Sequence, residues 1–398
     1  MVRSSSSIRA TGTGGIVKSR AAVLWGIGEA WKVEDIDIGA PASGEVLVKW
    51  QAAGLCHSEE HFVTGDFVMP ENLRRQYGMP SPFPMIGGHE GAGLVVEVGP
   101  GVSTLTVGDS VATSFIPTCG RCRYCVTGRQ NLCNQGAQLM QPGQMVDGVV
   151  RHFCGGESLN LYAKCGTFAE HSLVSEESVV KVDSDLNPMA VALVSCGVAT
   201  GWGSAVHRAG TMAGDVVVVV GIGGVGMNAV QGAAMAGARV VVAVDPVAFK
   251  RELAQTLGAT HSTADMTEAV DLIRGMTRGE MADRVIMVPS VMHGDLMAEA
   301  MTLTGKGGTC VITGVAPMMQ SEASINLMDL AMMNKEIKGT IFGSGNPRFD
   351  IPNLLKMYRA GTLKVDELVT RTYRLDEINE GYQDMRDGKN IRGVLTFA

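Results

Sequence analysis

The chain has 398 residues, with 33 basic and 40 acidic side chains and a formal net charge of −7, which argues against a broad basic surface for nucleic acid. At 45% hydrophobic and 18% charged residues it is too apolar to be disordered and long enough for two domains. Its 51 glycines against 14 prolines imply many tight turns, not a stiff or fibrous chain.

The opening stretch, MVRSSSSIRATGTGGIVKSR, is rich in Ser, Gly and Arg and lacks acidic residues and the apolar block of a secretory signal. It reads as a flexible tail over residues 1–17, with folded sequence beginning near Lys18. From Ala21 to about Val182, short alternating apolar segments broken by glycine, such as GEVLVKW at 44–50 and GLVVEVGPG at 93–101, predict small twisted strands of an irregular β-rich domain. From about Pro188 the character changes. Solid valine runs at Val216–Val220 and Val240–Val244 fit strands buried on both faces of a parallel sheet. Further alternation follows: a helix over 250–259, a strand over 284–288, a helix over 296–303, and a strand and turn over 308–314. The fold class is therefore α/β, a β-rich domain joined to a doubly wound sheet with βαβ units. After Gly343 a helix-like IPNLLKMYRAG leads to a strand-like GVLTF, a tail too short for a third domain and expected to pack on the first. The longest apolar stretch, Val216 to Val230, is interrupted by four glycines and falls short of the roughly 18 to 20 residues needed to cross a bilayer, so no membrane span is expected. Nine cysteines in a chain without a secretory signal point to a reducing compartment, the cytoplasm, where clustered thiols bind metal or do chemistry.

Gly221, Gly223 and Gly226 form G-x-G-x-x-G directly after the first valine run and before the helix-like MNAVQGAAMAG. The first glycine makes the tight turn, the second lets backbone approach a pyrophosphate, and the third permits close helix packing. The helix N-terminus then favours negative charge. Gly224 and Val225 lie inside the same loop and are expected cofactor contacts. Asp245, at the end of the second valine run, is placed to accept hydrogen bonds from an adenosine ribose diol. Pro246 and Val247 offer no cation for a 2′-phosphate, which favours NAD over NADP. Lys250, on the following helix, is a further candidate for the ribose.

Cys119, Cys122, Cys125 and Cys133 give C-x2-C-x2-C-x7-C in a charged, loop-like stretch. Four thiolates close a tetrahedral shell around Zn²⁺ with no open position, the mark of a structural site. An iron–sulphur cluster is the competing metal reading, but the last spacing is longer than a ferredoxin-type run and no proline follows. A catalytic zinc needs three protein ligands and a free fourth position. Cys56 in AAGLCHSEEH, His89 in IGGHEGAG and Cys196 in ALVSCGVATGWG are the candidates, each ambiguous on composition alone.

GLCHSEEH, GGHEGAG, the four-cysteine loop, SCGVATGWG and GIGGVG occur in the order and with roughly the separations of the zinc-containing medium-chain alcohol dehydrogenases. The resemblance covers nearly the whole chain from Lys18. It implies a GroES-like catalytic domain over 18–192 with the structural zinc loop, a Rossmann NAD-binding domain over 193–342, and a C-terminal segment, 343–398, that completes the catalytic domain. It implies two zinc ions per chain, the catalytic one held by Cys56, His89 and Cys196. Ser58 stands where the family has the hydroxyl that hydrogen-bonds the substrate alcohol, and His61 where a surface histidine finishes a proton relay. His57 and Arg392 resemble the family's pyrophosphate-binding cations, and Glu90 resembles its acidic residue behind the metal. Phe115, Tyr162 and Val225 are expected to line the substrate pocket.

Glu59 departs from the family, which usually has Asp orienting the zinc-ligating histidine. The loop TGDFVMPENLRRQYGMPSPFP at 64–84 also looks longer than in the common liver-type enzymes. With TSFIPTCGRC and DPVAFKRELA, it resembles the actinobacterial alcohol dehydrogenases assayed with N,N-dimethyl-4-nitrosoaniline, the nicotinoprotein type whose NAD stays bound through turnover. The expected function is zinc-dependent hydride transfer between a primary or secondary alcohol and NAD to give an aldehyde or ketone, by a dimeric or tetrameric homo-oligomer. The alternatives are a thiol-adduct formaldehyde dehydrogenase and a non-catalytic NAD-binding protein on the same scaffold.

Overall fold

The computed structural model of the chain describes residues 15–139, 141 and 143–397, so most of the expected tail lies outside the described residues. The first strand, Val17–Leu24, begins beside the expected boundary at Lys18.

The valine runs form strands Val216–Val220 and Val240–Val244 with every residue buried, as a sheet covered on both faces requires. They belong to a six-stranded parallel sheet with the order His261–Thr263, Val240–Val244, Val216–Val220, Ala282–Met287, Thr304–Ile312, Glu336–Gly339. The chain starts at the third position, winds outward to one edge and then returns to wind toward the other. The order therefore reverses between Val216–Val220 and Ala282–Met287, and the crevice beyond their carboxyl ends is where such sheets bind dinucleotides.

The first part of the chain forms two further sheets. The strand that matters most for function is Glu45–Gly54, which pairs antiparallel with Glu90–Val98 so that Gly54 stands opposite Glu90. This register brings the segment after Gly54 and the residue before Glu90 to the same edge. On its other side Glu45–Gly54 pairs with Arg392–Thr396, so the tail returns to the first sheet as expected.

Residues 188–208 form one continuous helix with two π-helical turns, Val194–Val198 and Ser204–Arg208. At 21 residues it is long and apolar enough to cross a bilayer, which corrects the expectation that Val216–Val230 was the longest such stretch. Of its 18-residue apolar window 78% is buried, and the chain's own core uses its apolar surface. The long 64–84 segment is not all loop: it contains a short helix, Glu71–Gln76.

An aromatic cluster props the turn that carries His89. Phe168 is fully buried, edge-on to Trp31 at 5.7 Å and 6.2 Å from Tyr382. A side chain at Gly87 or Gly88 would collide with Phe168. Phe168→Ala is expected to cost about 3–5 kcal/mol in urea unfolding, since the cavity lies under a turn that cannot collapse freely. A loss below about 1 kcal/mol would show that the turn does not depend on this ring.

Candidate active site

Cys56 caps the N-terminus of helix His57–Thr64, two residues after the strand Glu45–Gly54 ends. His89 immediately precedes the strand paired with it, and Cys196 lies in the first π-helical turn of the long helix. A π turn rotates one residue out of the ordinary helical register and is frequent at functional sites. The ligand atoms of Cys56, His89, Glu90 and Cys196 all lie within 4.8 Å of one another. His89 Nε2 is 3.2 Å from Cys196 Sγ, and its Nδ1 is 2.6 Å from Glu59 Oε1. Glu59 therefore reaches the histidine despite its longer arm. Fully buried, it fixes the ring with Nε2 turned toward the sulphurs. Burial works against a charged His89, but Glu59 and Cys56 outweigh it and raise its pKa well above the ordinary range. The hydrogen bond from Cys196 and the His89 charge hold Cys56 well below its usual thiol value. The site is thus built to keep negative sulphur next to a positive group, the condition a divalent cation satisfies better than a proton does.

Behind this cluster Arg392 pairs with Glu90 and donates to Leu55 O at 3.1 Å. Burial raises Glu90 to about 7, although Arg392 opposes the rise. Oε1 of Glu90 has no hydrogen-bond partner among the described residues and is the oxygen left to face the cluster. The resemblance implied a pyrophosphate-binding cation at Arg392. The residue does line the cleft, but it is 5% exposed and its guanidinium is held by Glu90.

The second cluster is closed. The sulphurs of Cys119, Cys122, Cys125 and Cys133 lie within 4.8 Å of one another, with Cys119 and Cys125, and Cys122 and Cys133, each 3.9 Å apart. A tetrahedron with metal–sulphur bonds of about 2.3 Å has edges of about 3.8 Å, so the four fit a single zinc ion. Without a cation they could not all ionise. Burial pushes Cys125 up to about 12 and raises Cys133, while backbone N–H groups, Asn134 first, pull Cys122 down to about 6.

A cavity of about 430 Å³ runs from Cys56 and Cys196 to the glycine loop. Ser58 lies on it with Oγ 3.5 Å from Cys56 Sγ, and so do His57 and His61. His61 is not the surface histidine the resemblance implied: it is 2% exposed. Phe115 and Tyr162 stand edge-on to the His89 ring at 5.3 and 5.2 Å and wall the metal end. At the other end lie Gly221, Gly223, Gly224, Val225, Gly226, Asp245 and Lys250. Gly221 adopts a φ of 89°, and a side chain on it would strike Val288 O across the crevice; one on Gly226 would strike Gly221 O. At Gly223, which caps helix Gly224–Met235, a Cβ would meet nothing within 4 Å, so the space above the helix N-terminus is open to a ligand. Asp245 accepts from Ile222 N at 2.8 Å and Val247 N at 2.9 Å, which aims its carboxylate at the loop. His57 is half-buried, and burial, with His61 nearby, lowers its pKa.

Sequence reasoning missed the residues that hold these groups in place. Thr113 donates to His89 O at 2.6 Å and accepts from Gly91 N at 2.8 Å, and Thr200 lies beside Cys196 on the cleft. A hydroxyl-bearing residue on a strand or helix carries no local signature of such a task.

Two zinc ions per chain are expected by metal analysis. Cys122→Ser is expected to remove one and lower the melting temperature, and Cys196→Ser to remove the other with the fold retained, because a closed site holds a loop together and an open one does chemistry. Equal loss of folding in both variants, by circular dichroism, would contradict the division.

Residues 42–184 match the family model "Alcohol dehydrogenase GroES-like domain", and residues 224–360 match "Zinc-binding dehydrogenase". The chain is 48% identical to the NDMA-dependent alcohol dehydrogenase of Amycolatopsis methanolica, over 96% of this chain and all of that one. It is 45% identical to alcohol dehydrogenase B of Mycobacterium tuberculosis H37Rv, over 96% and 99%. Among solved structures, the benzyl alcohol dehydrogenase of Acinetobacter calcoaceticus superposes with a TM-score of 0.85 at 28% identity, covering 96% of this chain and all of that one. With both family models matched and relatives of this closeness over nearly the full length, the chain belongs to the zinc-dependent medium-chain alcohol dehydrogenases, enzymes that interconvert alcohols with aldehydes or ketones.

Proposed function

We propose that the cleft oxidises a small alcohol while NAD stays bound from one turnover to the next, with one zinc ion on Cys56, His89 and Cys196 and a second on the four-cysteine loop. The observation that carries this reading is the meeting of those three donors and the glycine loop on one cavity. When bound, the zinc ion makes the alcohol hydroxyl acidic and the nicotinamide accepts the hydride. In this reading Ser58 takes the hydroxyl proton as it gives up its own, and the proton ends on His61, which lies further along the same helix and lines the same cleft. Tyr162 and Phe115 exclude water from the reacting end. The open glycine loop and the Gly224–Met235 helix terminus hold the pyrophosphate, Asp245 and Lys250 the adenosine ribose, Arg392 adds positive charge along the cleft, and His57, its pKa lowered by burial, offers a ring N–H to the cofactor.

The division at 18–192, 193–342 and 343–398 belongs to the same reading, supported by the matched spans and by the return of Arg392–Thr396 to the first sheet. A homo-oligomer is supported by the edge strand Glu336–Gly339 and the exposed Leu327, Met328 and Met332 immediately before it. All nine cysteines are free, which suits the cytoplasm.

Retention of NAD is supported by the name of the Amycolatopsis relative and by the 64–84 segment. Phe67 lines the cleft, and Asp66 O accepts from Met318 N at 2.8 Å, which ties this segment to the nucleotide-binding half. A tie across the cleft slows cofactor release relative to chemistry. Desalted protein given ethanol and N,N-dimethyl-4-nitrosoaniline is expected to turn over without added NAD. A strict, saturable requirement for added NAD would make it an ordinary exchanging dehydrogenase.

His61→Ala is expected to lower the rate by about 10- to 100-fold near pH 7 and less at high pH, where hydroxide takes the proton. Ser58→Ala is expected to lose more and recover less, because no bulk base reaches the alcohol directly. Identical pH–rate profiles in both variants and the parent would remove the relay.

A further inference from the structure

The burial of His61 creates a problem that the relay has to solve. A ring that receives a proton becomes a cation, and a buried cation without a partner is costly. The surrounding groups do not help: His57 lies 5.2 Å away ring to ring, Phe67 lies at 5.1 Å, and Lys250 acts on His57 from the nucleotide-binding half. One group does. Nδ1 of His61 is 3.2 Å from Oδ2 of Asp66, the same oxygen that accepts the Thr64 hydroxyl at 2.7 Å.

We propose that Asp66 is a positioning residue for the proton relay, fixing which nitrogen of His61 takes the proton and stabilising the charged ring that results. The inference rests on the reading of Ser58 and His61 as a relay. The Thr64 hydrogen bond outweighs burial and, with His61, holds Asp66 below the ordinary carboxylate range, so Asp66 is ionised at neutral pH. An ionised carboxylate only accepts, so Nδ1 carries the hydrogen and Nε2 of the neutral ring keeps the free lone pair. The proton that leaves the alcohol by way of Ser58 is then bound at Nε2, and the imidazolium so formed keeps its Nδ1 hydrogen against Asp66. The breaking O–H bond leaves its electron pair on oxygen and the Nε2 lone pair forms the new N–H bond, so nothing is oxidised or reduced, and the charge gained by the ring stands beside an opposite charge.

Asp66 is held from two sides. Thr64, at the end of helix His57–Thr64, fixes its carboxylate, and Met318 N fixes its backbone carbonyl from across the cleft. His293, from the nucleotide-binding half, adds a further favourable charge. The side chain is 27% exposed, so the carboxylate keeps contact with water while its partner is buried.

Neutralising Asp66 removes the opposite charge beside the ring while leaving an acceptor for Thr64. The test is the steady-state kinetics of the holoenzyme with ethanol and N,N-dimethyl-4-nitrosoaniline. Asp66→Asn, which keeps size and can still accept from Thr64, is expected to lower kcat at pH 7 about 10-fold with KM for ethanol nearly unchanged. Asp66→Glu, which restores the carboxylate, is expected to recover most of that loss. If His61→Ala lowers kcat but Asp66→Asn does not, this proposal alone is overturned. If His61→Ala leaves kcat unaltered, the relay reading falls and the proposal falls with it.

Discussion

A buried cation under the active site, Arg392, ties its parts together. It arrives on the last strand, pairs with Glu90 on the neighbouring side of the metal cluster, and reaches Leu55 O one residue before Cys56. Side chains on Gly54, Gly197 or Gly224 would collide with it, and those glycines come from the strand before Cys56, the turn holding Cys196 and the dinucleotide loop. Three separate segments have therefore given up their side chains to admit one guanidinium. Burial of such a pair does not by itself stabilise the fold, because the desolvation penalty rivals the attraction. What it supplies is position. The pair holds the arginine between the Cys56–His89–Cys196 cluster and the glycine loop, where it is not free to move toward either.

The parts of this arrangement that depend on short-range pattern were legible in the sequence. Val216–Val220 and Val240–Val244 occupy the predicted residues because a strand buried on both faces leaves no polar position to blur its ends. Helix Leu296–Leu303 does so too, and the glycine loop and the four cysteines carry their chemistry in their spacing. The open metal cluster needed a family resemblance, because Cys56, His89 and Cys196 come together only through the Gly54–Glu90 register and a π turn. Neither is visible in composition. The same limit hid the burial of His61 and Arg392, each set by packing against segments distant in the chain. Thr113, whose hydroxyl bridges His89 O and Gly91 N, is one of several threonines in a β-rich segment, and nothing local distinguishes it.

The helix 188–208 explains how the metal end and the nucleotide end keep a fixed separation although they lie on different sheets. It carries Cys196 and then runs against helix Gly224–Met235, whose N-terminus forms the dinucleotide loop. The contact is close because it is made by residues without side chains. A Cβ on Gly201 would strike Val225 O, one on Gly232 would meet Trp202 backbone at 3.0 Å, and one on Gly203 would crowd Gly343. Backbone against backbone leaves no rotamer to adjust, so the distance from Cys196 to the loop is set by helix geometry and not by side-chain packing. That is the right place for rigidity in a hydride-transfer enzyme, where the donor carbon held at the metal and the acceptor ring must meet at close range. The cleft's other wall, the segment containing Asp66 and Phe67, touches the nucleotide-binding half through the Met318 hydrogen bond and is built from a turn and a short helix. The reacting distance is therefore set on the wall that packs backbone against backbone, and the Asp66–Phe67 segment closes the cleft opposite it.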